Sequence, residues 1–129
     1  MLKQFILAAA FSGLALGPSL ATKPASLSGD ELRSALSGKT VYLNISGFDL
    51  PIRYSPAGTM TGSMGAIAAS LAGGDGASDH GKWWIAGDQL CQRWTSWMEG
   101  KSYCYRFTLK GKSIHWLRND GRSGTARIG

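Results

Sequence analysis

The chain has 129 residues, a formal net charge of +6 and only two cysteines. This length suits a single domain with a modest core. The positive charge favours anionic partners such as phospholipid head groups, acidic glycans or nucleic acid. The basic residues are spread along the chain and form no blocks, so a solvated basic surface is the simpler interpretation, and no nucleic-acid partner is expected.

The first 21 residues predict a secretory signal peptide. Lys3 gives a positive start, residues 5–17 form an uncharged, largely apolar run, and Ser19 and Ala21 are small residues at the −3 and −1 positions of a cleavage site. The run is shorter than the roughly 20 residues that cross a bilayer, and no later stretch is long and apolar enough, so no membrane-spanning segment is expected. An uncleaved anchor is the alternative. We expect cleavage after Ala21, a single β domain over residues 22–129, and a periplasmic or secreted location.

Residues 28–38 predict one short helix. Ser28 followed by Glu31 has the spacing of a capping box, in which each residue satisfies a backbone N–H of the other. Gly38 is suited to end the helix. We expect a helix over Asp30–Ser37 that plugs one end of a β structure, since two turns are too short to favour a role as a partner-binding helix.

From Thr40 onward the period of the apolar residues changes from helical to alternating, which is typical of strands. Residues 65–81 are rich in Gly, Ala and Ser and predict a long loop, either functional or mobile. The sequence therefore predicts a mainly β domain: an antiparallel meander of about seven strands, strongly twisted or closed into a small barrel, with one short N-terminal helix. Strands are predicted over residues 40–45, 50–54, 59–64, 82–86, 89–94, 102–109, 114–118 and 124–128.

Cys91 and Cys104 are predicted to form a disulfide. An isolated cysteine pair in an exported chain is most often bonded, and the turn-like residues 98–101 let the two cysteines face each other on paired strands. The disulfide then lies on the outer face as a cross-strand clasp. A two-cysteine redox or metal site is the alternative, but the pair has neither CxxC spacing nor a neighbouring histidine cluster.

The same pairing extends through the following hairpins. A two-residue loop at Gly111–Lys112 and a three-residue loop at Asp120–Arg122 set Trp116 opposite Phe107 and Ala126. One register then sorts apolar from polar side chains, as expected when one face of a sheet is buried. The residues predicted on the buried face are Leu90, Trp94, Tyr103, Tyr105, Phe107, Leu109, Ile114, Trp116 and Ile128.

Four segments carry a family resemblance: LSGDELRSALSGKT, GKWWIAGDQLCQRW, YCYRF and HWLRNDGRSGTARI. Together they resemble a group of small exported proteins of alphaproteobacteria, rhizobia-like organisms in particular. The shared pattern is an LSGDEL helix start, G-x-W-x-x-x-G-D-x-L-C, a second Cys and a D-G near the C-terminus. The resemblance implies a β-rich periplasmic domain and brings no activity or active site with it.

Catalytic and metal signatures are weak. His80 and His115 are the only histidines, and a nucleophile–base–acid set drawn with Asp79 and Ser78 or Ser113 lacks a nucleophile elbow. A metal site needs three or more converging ligands, and pairing of the cysteines leaves two histidines and scattered acids. We expect no enzyme activity, no metal and no cofactor.

Tryptophans interleaved with basic residues give the strongest candidate site. Neighbouring residues in a strand point to opposite faces, so at least one of Trp83 and Trp84 lies outside the core, whereas the register places Trp116 inside it. Aromatic rings beside basic groups bind sugar rings, single-stranded nucleic acid or lipid interfaces. The candidate ligand-binding residues are Trp84, Trp97, Lys82 and Arg93.

These observations predict a non-enzymatic periplasmic accessory or binding protein that recognises a cell-envelope component, such as an anionic glycan or lipid. The alternative is a protein-interaction module, inhibitor or chaperone-like, acting through residues 65–81 or an edge strand.

Overall fold

The computed structural model describes residues 25–65 and 77–129. The signal-peptide prediction falls on residues outside these ranges. Eight described strands, each antiparallel to the next, close in chain order into one barrel, because the last strand pairs with the first. The mainly β fold with one short helix is thus confirmed. The strands are β1 Thr40–Ile45, β2 Phe48–Tyr54, β3 Thr59–Ser63, β4 Ser78–Ala86, β5 Gln89–Trp94, β6 Ser102–Lys110, β7 Ser113–Arg118 and β8 Ser123–Ile128.

The barrel interior is filled by side chains. An eight-stranded barrel encloses a space just wide enough for inward-facing residues, and alternate positions of each strand supply them. On β4, for example, Trp83 is buried while Lys82 and Trp84 are exposed. Among the polar core groups, the Tyr54 hydroxyl donates a 2.8 Å hydrogen bond to Gln92 Oε1, and burial raises the pKa of Tyr54 well above its usual range. The buried apolar residues are Leu32, Leu36, Val41, Leu50, Ile52, Tyr54, Met60, Trp83, Leu90, Cys91, Trp94, Tyr105, Phe107, Ile114 and Ala126.

One helix, α1 (Gly29–Leu36), closes the end of the barrel that carries the β4–β5 turn. The predicted capping box is present: Ser28 Oγ accepts from the Glu31 N–H and Glu31 Oε1 accepts from the Ser28 N–H. Leu32 and Leu36 are fully buried in the core. The Gly29 N–H also donates to Asp88 Oδ1 in the β4–β5 turn, so this helix end is fixed to the barrel.

The predicted disulfide is confirmed. Cys91 on β5 lies opposite Cys104 on β6, with a Cα–Cα distance of 4.0 Å. Strand alternation places Cys91 on the outer face, but Trp84 lies directly opposite it on β4, and Cys91 is only 1% exposed. The disulfide therefore lies on the outer face, and neighbouring side chains cover Cys91.

The register predicted for the last hairpin is wrong by two residues. Trp116 lies opposite Gly124, and Ala126 lies opposite Ile114. The loop consists of residues 119–121, one residue earlier than the predicted loop. The Asp120 carboxylate stabilises this turn because it accepts hydrogen bonds from both Arg118 and the Arg122 N–H. A shift of two positions leaves every side chain on its predicted face.

The predicted 65–81 loop is also corrected in part. Residues 78–81 belong to β4 and pair with β3, whereas residues 66–76 lie outside the described ranges. The sequence does not indicate the start of this strand because Ser78, His80 and Gly81 are polar or small. β2 likewise begins at Phe48 rather than at Leu50.

Candidate functional site

Three of the four candidate binding residues lie together on the outer surface. Lys82 and Trp84 point outward from β4, and Arg93 points outward from β5 directly opposite Lys82. Trp84 is 40% exposed, a large fraction for an indole ring. We call Lys82, Trp84 and Arg93 the basic face.

Trp97 lies apart from the basic face. It begins the turn segment Trp97–Gly100 between β5 and β6, is half-buried, and its ring centroid is 4.8 Å from that of the core residue Trp94. A Cβ on Gly62, which faces the interior, would come within 2.7 Å of the Trp97 ring. Trp97 therefore covers the interior at the far end of the barrel, opposite α1. Trp116, predicted as core, is half-buried and packs against the core cluster.

Ion pairs distinguish the basic residues near the tryptophans. Lys101 pairs with Glu99 at 2.9 Å, and Arg118 binds Asp120 through two nitrogens and lies over the Tyr103 ring at 4.2 Å. The hydrogen bonds from Arg118 lower the pKa of Asp120 to about 2. Within the described part of the chain, Lys82 and Arg93 form no such pair.

The basic face holds two like charges without a counter-charge. Like charges directly opposite each other on paired strands destabilise a sheet, and Lys82 and Arg93 have this arrangement. Their next neighbours across the sheet are the hydroxyl residues Thr59 and Ser102. The outward residues of β3–β6 include no carboxylate. Within these four strands, no carboxylate therefore neutralises the positive potential of the basic face.

A groove beside the basic face was not predicted from the sequence. β2 pairs with β3 only over Ile52–Tyr54, and the two strands separate beyond that point to open a groove of about 600 Å³. Its walls combine hydroxyl groups with the side chains of Arg53 and His80, and the buried Asp79 also contributes to the lining. We call this the hydroxyl groove; its lining includes Thr40, Pro51, Arg53, Thr61, Ser63, Ser78 and His80.

Only part of the groove could have been found in the sequence. The alternation Thr59-Met60-Thr61 already indicates outward hydroxyls on β3. The register that brings Thr61 opposite His80 and Ser63 opposite Ser78 crosses a long connection, so no short turn fixes it. No local pattern could therefore place the two walls together.

The Asp79 and His80 side chains do not share a face of β4. Asp79 points inward and His80 outward, since they are adjacent in β4. Asp79 Oδ2 accepts 2.8 Å hydrogen bonds from the N–H groups of Ser96 and Trp97, so it fixes the start of the turn segment. Desolvation raises the pKa of Asp79, but the hydrogen bonds from these backbone groups outweigh it, and the net pKa lies below the usual range.

Three further features concern metal ions, the membrane and the redox environment. In residues 25–65 and 77–129, no three His, Cys, Asp or Glu side chains converge in a way that would hold a metal ion. No helix in these same ranges has the length and apolarity to cross a membrane. The disulfide indicates an oxidising compartment.

Comparison of the chain with protein-family models, curated proteins and solved structures found no match. The resemblance to exported alphaproteobacterial proteins therefore stays a prediction, and the functional argument depends on the geometry of the basic face and its groove.

Proposed function

We propose that the protein is a non-enzymatic periplasmic binding protein that recognises an anionic component of the cell envelope through its basic face. The observation that carries this proposal is the opposition of Lys82 and Arg93 on neighbouring strands, with neither residue in an ion pair among the described residues. An arrangement that costs stability in the free protein is compensated when an anion lies between the two cations. Trp84, two residues from Lys82 on the same face, adds an aromatic surface for the ligand.

Export is part of this proposal. The disulfide requires oxidising conditions, and the N-terminal residues have the layout of a cleavable signal peptide. Mass spectrometry of the periplasmic fraction should give a chain that begins at Thr22. A chain in that fraction that still carries Met1 would contradict cleavage after Ala21.

The binding test uses two variants that remove equal charge. Lys82→Gln/Arg93→Gln changes the basic face, whereas Lys110→Gln/Lys112→Gln changes exposed residues at the β6–β7 turn. We expect the first variant to elute from immobilised heparin and from phosphatidylglycerol vesicles at clearly lower salt than the wild type. The control should elute close to the wild type, because contacts between exposed charges are screened beyond roughly 10 Å.

Equal effects of the two variants would show that net charge alone drives retention, which contradicts a specific basic face. Failure of the wild type to bind either anionic matrix at low salt would contradict the proposal as a whole.

The alternative of a protein-interaction module receives less support. Residues 48–51 of β2 have no second strand partner within the described ranges, which makes them a short free edge. Pro51 lacks a backbone N–H, and the charged Asp49 pairs with Arg127 at 2.8 Å. Both features disfavour the addition of another strand. The part of the proposed loop at residues 66–76 lies outside the described ranges.

A further inference from the structure

We infer that the ligand of the basic face is a linear anionic polysaccharide whose chain continues from Lys82 and Arg93 into the hydroxyl groove. This inference rests on the proposed function and names its ligand class. It is carried by the continuity of the two surfaces and by the chemistry of the groove walls.

His80 joins the two surfaces. It lies opposite Thr61 in the groove and two residues before Lys82 on the same outward side of β4. Arg53, at the other side of the groove, lies opposite Thr61. From strand spacings and the rise per residue, Arg53 is about 16 Å from Arg93 along the surface. This span is too long for one phosphate group or one sugar ring, so it fits a chain of several linked units.

The groove walls match the hydrogen-bonding groups of sugars. The side-chain hydroxyls of Thr61, Ser63 and Ser78 are exposed and make no hydrogen bond within the described part of the chain. A hydroxyl both donates and accepts, as do the hydroxyls of a sugar ring. These groups therefore suit the uncharged part of a glycan, which a purely electrostatic site would leave unrecognised.

Charged groups at both ends of this surface suit a repeating anion. Arg53 donates one N–H to the Gly38 carbonyl at 3.1 Å, which positions its guanidinium at the groove. A guanidinium binds carboxylate or sulfate in a planar, bidentate manner. Lys82 and Arg93 offer a second anion site. Two cationic positions separated by hydroxyls fit a chain whose anionic groups alternate with sugar hydroxyls.

A lipid surface fits this region less well. Binding to a bilayer interface combines cations with apolar groups that insert beside them. Trp84 is the one exposed large hydrophobic residue that the described part of β3–β6 provides. Ile45 and Phe48 are exposed at the β1–β2 hairpin, where strand alternation places them on the inner side of the sheet, away from the outward-facing Pro51 and Arg53 of the groove. Leu117 lies on β7. Nucleic acid would require several stacking rings, and this face offers one.

The test compares polygalacturonate, which carries both carboxylates and sugar hydroxyls, with inorganic polyphosphate, which carries charge alone. The groove variant is Thr61→Val/Ser63→Ala/Ser78→Ala. The matched control, Ser113→Ala/Ser123→Ala/Thr125→Val, removes the same groups from exposed positions on β7 and β8. Affinities are measured by calorimetry with the purified protein, and circular dichroism establishes that each variant is folded.

We expect the groove variant to bind polygalacturonate at least about tenfold more weakly, since each lost hydrogen bond weakens binding several-fold. Its affinity for polyphosphate should stay within about twofold of the wild type. The control variant should bind both polymers as the wild type does, and monomeric galacturonate should bind far more weakly than the polymer.

Two outcomes separate this inference from the proposed function. If polyphosphate or phosphatidylglycerol vesicles bind as tightly as polygalacturonate and the groove variant changes nothing, the polysaccharide inference fails while the anion-binding function stands. If the wild type binds none of these anionic probes, the proposed function itself fails.

Discussion

The Asp79 carboxylate accepts a 2.8 Å hydrogen bond from the backbone N–H of Trp97, which joins the start of β4 to the turn segment between β5 and β6. The same oxygen accepts from the Ser96 N–H. This contact holds Trp97 over the barrel interior. It also makes the far end of the barrel dependent on one ionised carboxylate.

The first prediction concerns the pH dependence of stability. The pKa of Asp79 is lowered in the folded protein, so its ionised form favours folding above the unfolded pKa of about 4. This stabilisation is lost as pH falls through the lower folded pKa. We expect Asp79→Ala to reduce the free energy of unfolding by about 2 kcal/mol at pH 7, the range for hydrogen bonds to a charged group. Urea unfolding at several pH values measures it.

The pH dependence must be separated from that of Asp120, whose pKa is also lowered. Asp79→Asn keeps the acceptor oxygen and leaves Asp120 unchanged. The stability difference between the wild type and Asp79→Asn should therefore shrink as the pH is lowered from about 5 toward 2. A difference that stays constant over this range would show that the charge of Asp79 does not contribute.

The second prediction concerns Gly124. A Cβ at this position would collide with the ring of Trp116, so glycine is required there by close packing. Replacing a strand glycine by alanine usually stabilises a protein or leaves it unchanged. We expect Gly124→Ala instead to destabilise by about 1–3 kcal/mol, the cost of overpacking. Its exposed neighbour Ser123 provides the control, since Ser123→Ala should have almost no effect.

Coupling between the two residues provides the stricter test. In a Trp116→Leu background the ring is gone, so adding Gly124→Ala should cost much less than in the wild type. Equal costs in both backgrounds, measured by urea unfolding, would mean that the Trp116 ring is not the group that Gly124 accommodates.

The hairpins from β5 to β8 show which parts of this fold the sequence predicts. Cys91 opposite Cys104 and Phe107 opposite Trp116 follow from short turns and alternating apolar residues. The register of the last hairpin does not follow from the sequence, because three-residue loops at residues 119–121 and 120–122 have similar turn composition. The hydrogen bonds from Arg118 and from the Arg122 N–H to Asp120 distinguish them, and the alternation of apolar residues does not reveal these contacts.

The sequence predicts the part of the candidate site that depends on local strand pairing. Lys82 and Arg93 lie on two strands joined by a tight turn at residues 87–88, so their pairing is local and can be predicted from the sequence. The inward position of Trp97 does not follow from the sequence, because residues such as Met98 and Glu99 seldom adopt positive φ. Their φ values are 58° and 59°, and Gly100 follows at 66°. This unusual backbone turns the chain, and tertiary contacts made by Asp79 and Trp94 hold Trp97 inward.

The third prediction compares Trp97 and Trp84, the two tryptophans among the candidate binding residues. Trp97→Ala removes the ring that packs on Trp94 and Gly62, and we expect it to cost about 2–3 kcal/mol, somewhat below the range for fully buried aromatics. Trp84→Ala should cost under about 1 kcal/mol because its ring is exposed. Thermal unfolding of both variants measures the difference, and equal losses would contradict the placement of Trp97.

The last prediction concerns the disulfide. Cys91 and Cys104 are 13 residues apart, and closing a loop of this size stabilises a protein by roughly 3 kcal/mol in the chain-entropy model. Cys91→Ser/Cys104→Ser should therefore lower the free energy of unfolding by about that amount. Urea unfolding with and without dithiothreitol measures it, and the reductant should destabilise the wild type but leave the double variant unchanged.

Because β5 also pairs with β4 through six residue pairs, the folded variant should keep Lys82 opposite Arg93 and bind anionic ligands as the wild type does. Loss of binding by a folded variant would mean that the basic face depends on the disulfide rather than on strand pairing.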